Sequence, residues 1–295
     1  MGDVRERKIE MLTLSAPAKV NLTLEALGKR QDDFHEIRSV IQTIDLCDKL
    51  NFQPAHETSF KSDMAEWNAE ESLVSRVVDL MRQTSGYSGG VAIEVEKRIP
   101  LMVGLGGDSS DAAATLRGLN QLWGLNLPLD KLLKMARQLG SDVAFFLYGG
   151  TALVEGRGEI VTPLSPLPHS WVVLMTPPVL RLPGKTKQLY GALRAAHYTD
   201  GQITERLAKE LKAGREFTPS LLFNTFENVA FAHFSELSVY RERMLKVGAS
   251  DVYLAGSGPA LFALLKDKTR AEELYLCLQR QRLESYLAEI LAVVD

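Results

Sequence analysis

The sequence contains little of what marks several large classes of protein. Its 295 residues include only two cysteines, Cys47 and Cys277, which stand too far apart to form a metal-binding or redox motif. So few cysteines favour a reducing compartment, and we expect a cytoplasmic protein. No segment approaches the run of about 18 apolar residues that a membrane helix needs, and residues 1–10 lack the apolar core of a signal peptide. We therefore expect no association with a membrane.

An excess of charge of one sign is also absent. The 34 lysines and arginines nearly balance the 37 aspartates and glutamates, which leaves a formal net charge of −3. A slightly acidic chain has no overall field that attracts nucleic acid or an anionic membrane surface. We therefore expect no nucleic acid among the partners of this protein.

Length and composition predict how the chain is organised. With 45% hydrophobic and 24% charged residues it is typical of a globular protein. A chain of 295 residues is long enough for about two compact lobes. We predict a polar extension over residues 1–10, an N-terminal domain over 11–165 and a C-terminal domain over 166–295, with the boundary in the proline-rich stretch 163–168.

Hydrophobic periodicity predicts strands and helices in both halves of the chain. Alternating or short apolar runs indicate strands at 11–27, 39–46, 49–53, 91–96, 151–155, 159–162, 171–175, 252–255 and 260–265. Helical spacing indicates helices at 71–83, 131–139, 185–197, 203–213 and 237–247, with one more after Asp111 and one beginning near Thr269. This mixture predicts an α+β fold. In the first strand, Lys19 and Asn21 point to the same, polar side.

The sharpest local motif is Gly104-Leu105-Gly106-Gly107-Asp108-Ser109-Ser110, which leads directly into a helix. Glycines let backbone N–H groups approach a phosphate, and the N-terminus of a helix offers free donors and a positive dipole end. The motif is neither a Walker loop nor a dinucleotide fingerprint, and it contains no Gly-Lys-Ser/Thr of its own. By itself, such a cluster is more often a turn before a capped helix.

Four further segments occur with this motif in a fixed order. They are Ala16-Pro17-Ala18-Lys19-Val20-Asn21-Leu22, Arg30-Gln31-Asp32-Asp33-Phe34-His35-Glu36, Gly140-Ser141-Asp142-Val143-Ala144-Phe145-Phe146 and Gly256-Ser257-Gly258-Pro259-Ala260. The ordered set resembles the GHMP kinases over nearly the whole chain, from about residue 12 onward. The resemblance implies a two-lobed α+β fold, in which the N-terminal lobe has a left-handed βαβ unit and the C-terminal lobe is ferredoxin-like. The active site is then expected between the lobes.

The resemblance also implies a reaction and a catalytic pair. Within the family, the chain is similar to kinases whose acceptor carries cytidine diphosphate. They transfer the γ-phosphoryl group of ATP to the C2 hydroxyl of a methylerythritol unit, on the non-mevalonate route to isoprenoids. Lys19 and Asp142 match the catalytic positions, where a carboxylate handles the hydroxyl proton and an ammonium stabilises charge on the reacting oxygens. Without the resemblance, Lys19 is typical of a solvated lysine and Asp142 of a helix cap.

Further site residues follow from the same resemblance. For the acceptor they are Asn21, Phe34, His35, Thr186 and Tyr190, since an aromatic face stacks on a base and an imidazole reads its polar edge. For Mg²⁺ the candidate ligand is Ser110, because a hydroxyl oxygen suits a hard cation. The ATP-binding segment is Pro100, Leu101, Met102, Val103, Gly104, Leu105, Gly106, Gly107, Asp108, Ser109 and Ser110.

Three positions depart from the pattern of the family. Asp108 stands where a glycine is usual, and we predict that its carboxylate caps its own helix and faces away from the nucleotide. Ala144 stands where a proline is usual, and Ser72-Leu73 stands where an Asn-Leu pair is common near the adenine.

Other readings of the sequence remain open. The chain is also compatible with a homoserine or mevalonate type of kinase, with a related decarboxylase, or with a non-catalytic ligand sensor of the same fold. Retention of Lys19 and Asp142 argues against the sensor, and an acceptor without a base needs no aromatic clamp. We expect a small-molecule substrate and either a monomer or a homodimer.

Overall fold

A computed structural model describes residues 11–179, 181, 184–215 and 219–292, so the predicted polar extension over 1–10 lies outside the described residues. Within these ranges the strands form two sheets. The first sheet has the order β3-β4-β2-β1-β8, and β5 joins it beside β2 and carries β6. Its strands are β1 Leu12–Lys29, β2 His35–Ala55, β3 Ser59–Ser62, β4 Gly90–Glu96, β5 Thr151–Gly156, β6 Ile160–Pro163 and β8 Phe223–Asn224.

The first two strands form a long antiparallel ribbon that runs through the molecule. The second strand was expected as two strands, 39–46 and 49–53, but β2 continues without a break from His35 to Ala55. Lys19 and Asn21, on the polar side of β1, are buried, so Lys19 is not the solvated lysine that its position alone would suggest. Their polar groups are kept inside by partners: Asn21 Nδ2, for example, donates to Ser39 Oγ at 2.9 Å.

The helices of the N-terminal half pack together against this sheet. They are α1 Leu73–Ser85, α2 Gly107–Leu122, α3 Leu129–Leu139 and α4 Val143–Tyr148. The Ser72 hydroxyl begins α1 by accepting from Val74 N, and Gly86 ends it in the left-handed conformation. Strands β3 and β4 pair in parallel, and α1 lies between them in the sequence. The three elements therefore form a βαβ unit.

The second sheet has the order β11-β7-β10-β9 and is antiparallel. Its strands are β7 Trp171–Thr176, β9 Tyr253–Leu254, β10 Leu261–Leu265 and β11 Glu284–Glu289. The helices of this half are α5 Lys185–Ala192, α6 Gln202–Lys212, α7 Glu227–His233, α8 Leu237–Lys246 and α9 Lys268–Arg280, with 3-10 turns at Ala195–His197 and Pro219–Leu221. The strand order and the helices between strands give the expected ferredoxin-like βαββαβ arrangement.

Several elements of this half differ from the sequence-based expectation. The helix expected over 185–197 is shorter, because Gly191 weakens it and Leu193 adopts an extended conformation directly after it. Strand β11, helix α7 and the short strand β8 were not expected at all.

The two sheets are joined rather than separate. Strand β8 pairs with β1 in parallel, although it follows β7 in the chain, and Ile44 of β2 forms a bridge with Ile290. A core cluster combines Leu22 and Ile44 from the first sheet with Phe262 from the second. No helix in the described part of the chain is long and apolar enough to cross a membrane. A deep cleft remains open between the two halves.

Candidate active site

The main cleft has a volume of about 1120 Å³ and collects the predicted catalytic and acceptor-binding residues. Lys19, Asn21, Phe34, His35, Asp142, Thr186 and Tyr190 all line it. A second cleft of about 350 Å³ is lined by residues 100–109 together with Lys97, Trp67 and Ser72. The two clefts share Met102, Gly104, Gly106 and Ser109, so they adjoin along the glycine-rich loop.

Lys19 and Asp142 form an ion pair in the main cleft, with 3.5 Å between Nζ and Oδ2. The Lys19 ammonium also donates to Asn21 Oδ1 at 2.7 Å, and its backbone N–H donates to Leu105 O at 3.0 Å. The lysine is therefore fixed both to its own strand and to the glycine-rich loop. A third of the Asp142 side chain is exposed, so its carboxylate is open to a ligand.

The alternative role of Asp142 as a helix cap has no support in the geometry. Asp142 precedes α4, but its side chain accepts no capping hydrogen bond and its backbone is already helical. A capping residue has an extended backbone and accepts from the first turn. The carboxylate is therefore held beside Lys19 instead of at the start of α4.

The glycine-rich loop needs glycine because neighbouring backbone and side chains lie directly against it. At Gly104, which has a φ of +94°, a Cβ would stand 2.2 Å from the carbonyl oxygen of Ala255. At Gly106, which has a φ of +75°, it would stand 2.9 Å from the Phe146 ring and 3.1 Å from Lys19 Cγ. The loop thus passes tightly between Lys19 and the turn at 255–258, and α2 begins directly after it. The N-terminus of α2 offers N–H donors to a phosphate.

Asp108 does not cap its own helix, contrary to the expectation from the sequence. Helix α2 begins at Gly107 with Gly106 as its N-cap, so Asp108 is already inside the first turn. Its Oδ1 instead accepts from the Ser72 hydroxyl at 2.7 Å and from Leu73 N at 3.1 Å. The carboxylate therefore caps the neighbouring helix α1, because the Leu73 N–H in its first turn has no acceptor within the helix.

A buried ionic cluster lies behind the same loop. Lys97 Nζ lies 2.5 Å from Asp48 Oδ2 and 2.7 Å from Asp111 Oδ2, and all three residues are buried. Burial raises the pKa of Asp111 despite the neighbouring lysine. Asp48 also accepts from the backbone N–H groups of Arg98 and Ile99. The cluster thus ties β2 and the end of β4 to the second turn of α2, the helix that follows the loop.

Aromatic side chains form one wall of the main cleft. The rings of His35 and Tyr190 stack at 4.8 Å, and Phe226 packs edge-on against Tyr190 at 4.7 Å. Burial and the nearby Lys29 lower the pKa of His35 from its usual 6.5, so the ring is neutral at pH 7. Phe34 is half exposed, with the Arg157 guanidinium 4.7 Å from its ring centre. This wall can hold a flat, uncharged ring system.

Ser110 is the one predicted residue of the loop that lines neither cleft. It is buried, and its hydroxyl has no hydrogen-bond partner among the described residues. Where the structure describes the chain, no group of three or more His, Cys, Asp and Glu side chains could hold a metal ion. The role of Ser110 as a metal ligand stays a prediction.

The cleft also contains residues that the sequence did not single out. Lys185 lines it next to the expected Thr186, whose hydroxyl lies 2.8 Å from Ser257 Oγ. Tyr198 contacts His35 Nε2 through its hydroxyl at 3.2 Å. Lys185 could have been found from its place beside Thr186. Tyr198 belongs to no motif in the sequence, because it follows α5 after several residues without regular structure.

Comparison with known families finds matches in both halves of the chain. The model described as GHMP kinases N terminal domain matches residues 72–150, and the model described as GHMP kinases C terminal matches residues 204–284. A 4-diphosphocytidyl-2-C-methyl-D-erythritol kinase of Dehalococcoides mccartyi is 48% identical over 285 residues, which are 97% of this chain and all of the relative. One from Geobacillus thermodenitrificans is 37% identical over 90% of this chain and 91% of the relative.

Solved structures show the same fold. A crystal structure of 4-(cytidine 5'-diphospho)-2C-methyl-D-erythritol kinase superimposes with a TM-score of 0.80 at 35% identity, over 95% of this chain and 99% of that one. A homoserine kinase from Cytophaga hutchinsonii superimposes with a TM-score of 0.69 at 18% identity, over all of this chain and 98% of that one. The second likeness extends to the fold alone.

Proposed function

The chain belongs to the GHMP kinase family, and we propose that it phosphorylates 4-diphosphocytidyl-2-C-methyl-D-erythritol on its 2-hydroxyl, with ATP as the donor. Membership of the family makes it a small-molecule kinase that uses ATP. The finer assignment rests on one observation, namely that a single cleft is lined both by the Lys19–Asp142 pair and by the His35–Tyr190 stack. The pair suits phosphoryl transfer to an alcohol, and the stack suits a pyrimidine base on the acceptor.

The chemistry assigned to the pair follows from its charges. The Asp142 carboxylate takes the proton of the acceptor hydroxyl, whose oxygen forms the new bond to the γ-phosphorus. The bond between that phosphorus and the oxygen that bridges it to ADP then breaks. The Lys19 ammonium, held by Asn21, stabilises the negative charge on the reacting oxygens. The products are the 2-phosphate and ADP.

The donor is assigned to the second cleft and the glycine-rich loop. Backbone N–H groups of the loop and of the first turn of α2 bind the phosphates. Mg²⁺ would neutralise phosphate charge, as it does in kinases generally. The buried Ser110 hydroxyl has no hydrogen-bond partner among the described residues, and its oxygen is the kind of ligand that a hard cation prefers. Asp108 is not assigned to the metal, because its Oδ1 is engaged at α1.

The acceptor is assigned to the aromatic end of the main cleft. A cytosine is a flat, uncharged ring, so it is stabilised by stacking on Tyr190, on neutral His35 or on Phe34. Arg157 over Phe34 adds a cationic face to the same wall. Homoserine and mevalonate lack a base, so these rings have no counterpart in those acceptors.

A turnover assay tests the proposal directly. We expect ATP-dependent release of ADP with 4-diphosphocytidyl-2-C-methyl-D-erythritol, and negligible release with homoserine, with mevalonate or with methylerythritol 4-phosphate, which lacks the cytidine portion. A specificity constant for mevalonate or homoserine that equals that for the cytidine ester contradicts the assignment. Binding of the ester without any turnover would instead favour a non-catalytic sensor.

A further inference from the structure

Lys185 is a buried cation that lines the main cleft without an acidic partner among the described residues. Only 5% of the residue is exposed, and its Nζ donates a 3.2 Å hydrogen bond to the carbonyl oxygen of Met102. In the part of the chain that the structure describes, no carboxylate forms an ion pair with it. The charged group that acts on it is Lys19, another cation. Lys185 thus differs from Lys19, which has Asp142 beside it.

A buried ammonium without a counterion is unfavourable in a folded protein. Burial and Lys19 together lower the pKa of Lys185 from 10.5 to about 8, so the group still carries most of its charge at pH 7. Proteins tolerate such strain mainly at functional sites, where a ligand completes the charge balance. The missing partner is therefore expected to be an anion that enters the cleft.

The location of Lys185 identifies the chemistry of that anion. Lys185 is the first residue of α5 and lines the main cleft, and its partner Met102 belongs to the glycine-rich loop that lines both clefts. Thr186 beside it is tied to Ser257, and Gly256 approaches Lys19 so closely that a Cβ there would lie 3.2 Å from Nζ. The ammonium thus stands at the junction of the clefts, close to Lys19.

We propose that the Lys185 ammonium binds phosphate oxygens at the junction of the two clefts, as a second ammonium beside Lys19. The inference rests on the proposed function, because the phosphates are those of ATP or the diphosphate of the acceptor. Both present the same oxygens to a cation, and a charge-assisted hydrogen bond to either replaces the present bond to Met102 O.

Two charge-removing variants test this proposal. Lys185→Met keeps the length of the side chain without its charge, and Lys185→Gln also keeps a donor for Met102 O. Titration calorimetry at pH 7 measures binding of ADP against adenosine and of CDP against cytidine, so each pair differs only in its phosphates. Lys246→Met on the exposed surface of α8 is the matched control, because it removes one positive charge outside both clefts.

We expect both Lys185 variants to bind ADP, CDP or both at least about tenfold more weakly, since hydrogen bonds to charged groups are worth about 1.5–3 kcal/mol. Adenosine and cytidine should bind as they do to the parent. A loss confined to ADP identifies the phosphates of the donor, and one confined to CDP identifies the diphosphate of the acceptor. Unchanged binding of both nucleotides overturns the proposal, and so does an equal loss for nucleotides and nucleosides.

Thermal unfolding of the free proteins separates binding from a purely structural role. If the only role of Lys185 is to hold α5 against the loop through Met102 O, the Lys185→Met variant melts at a lower temperature than the parent. That result overturns the proposal. We expect instead an equal or higher melting temperature, because an unbalanced buried charge is removed. The proposed function fails by a different result, namely a parent protein that binds ADP but neither CDP nor the cytidine ester.

Discussion

Two lysines in the same cleft differ in the partners that surround them. Lys19 is held by Asn21 and faces Asp142, so its charge is balanced before any ligand binds. Among the described residues, the Lys185 ammonium bonds to the carbonyl oxygen of Met102, and the positive charge of Lys19 acts against it. A balanced ammonium is suited to a fixed position in the reaction, whereas an unbalanced one is suited to attracting an anion. We therefore expect substitution of Lys19 and substitution of Lys185 to have different effects.

For Asp142 we predict a loss of turnover with little loss of ATP binding. Asp142→Asn keeps the shape of the side chain but cannot accept the hydroxyl proton, so kcat should fall about 10²–10⁴-fold. Steady-state kinetics with the cytidine ester and calorimetric titration with an ATP analogue measure the two effects. Asp130→Asn, on the exposed first turn of α3, is a control that should leave both unchanged. A parent-like kcat with a raised KM would make Asp142 a binding residue.

For Lys185 we predict a stability that depends on pH in a defined direction. Its folded pKa of about 8 lies below the unfolded value of about 10.5, so unfolding takes up protons between these values and stability rises as pH increases through them. Below pH 8 the ammonium is charged in both states, so the full cost of burying it lowers the free energy of unfolding. A shift of one pKa unit is worth about 1.4 kcal/mol, so this cost is on the order of 3 kcal/mol.

Urea unfolding of the parent and of Lys185→Met at pH 7 and pH 10 measures this dependence. The variant should gain stability relative to the parent at pH 7, and the difference should shrink at pH 10. The other charged side chains that line this cleft are the same in both proteins: Lys19, Lys29, Asp33, Asp142, Arg157 and Lys187. A difference that is constant with pH would show that the ammonium is not strained.

At the scale of elements, Asp108 links two helices that both border the nucleotide cleft. Its carboxylate belongs to α2 but accepts from Ser72 and Leu73 at the start of α1, and both Ser72 and Asp108 line the smaller cleft. A carboxylate at the start of a helix is also favoured by the helix dipole. This arrangement fixes the wall of the cleft and turns the negative charge toward α1 rather than toward a phosphate.

We predict that Asp108→Ala lowers the free energy of unfolding by about 0.5–2 kcal/mol, the range for a lost N-cap. Asp108→Asn keeps an acceptor oxygen and should lose less. Urea denaturation of both variants, together with Ser72→Ala and the Ser72→Ala/Asp108→Ala double variant, measures the link. A loss below about 0.5 kcal/mol, or strictly additive effects of the two alanines, would contradict it.

The elements also show where sequence patterns succeed and where they fail. Period-two runs predicted β1 and β4, a continuous apolar run predicted β7, and helical spacing predicted α1, α3 and α6, all to within two residues. The pattern is visible in the sequence because β7 is buried on both sides and each of the other elements buries its own apolar side. The partners of Lys19 and Asn21 could not be predicted from such patterns, since Asn21 pairs with Ser39 and Lys19 pairs with Leu105 and Asp142, which are distant in the sequence. The partner of Asp108 could not be predicted for the same reason: Ser72 lies 36 residues away.

At the scale of the whole molecule, the sequence predicted many of the residues that line the main cleft but not the contacts that bring them together. Lys19, Asp142, His35 and Tyr190 come from segments spread over 172 positions, and the ordered motifs of the GHMP family were needed to group them. Lys185 was missed although it stands beside Thr186, because its burial and its bond to Met102 appear only in the fold, and Tyr198 was missed because only the fold brings it to His35. Their roles, and the domain boundary at 165, stay predictions.

The two halves of the chain share structure across that boundary. Strand β8 and helix α6 come from the C-terminal half, but both contact β1 of the N-terminal half. Strand β8 pairs with β1, and the backbone N–H of Thr204 in α6 donates to Glu25 Oε2 in β1 at 2.7 Å. One apolar cluster contains Leu22 and Ile44 together with Val172, Leu207 and Phe262. Unfolding either half would therefore expose apolar surface of the other.

We accordingly predict that the whole chain unfolds in one cooperative transition. Trp123 reports on the core of the N-terminal half, and Trp171 begins strand β7 of the other half. In a variant that retains only Trp123 and another that retains only Trp171, with phenylalanine at the other tryptophan positions, urea unfolding followed by fluorescence should give the same midpoint as circular dichroism. Coincident transitions from different probes are the test of two-state behaviour. A midpoint at Trp171 well separated from that of circular dichroism would mean that the shared cluster does not couple the halves, and that the lobes unfold independently.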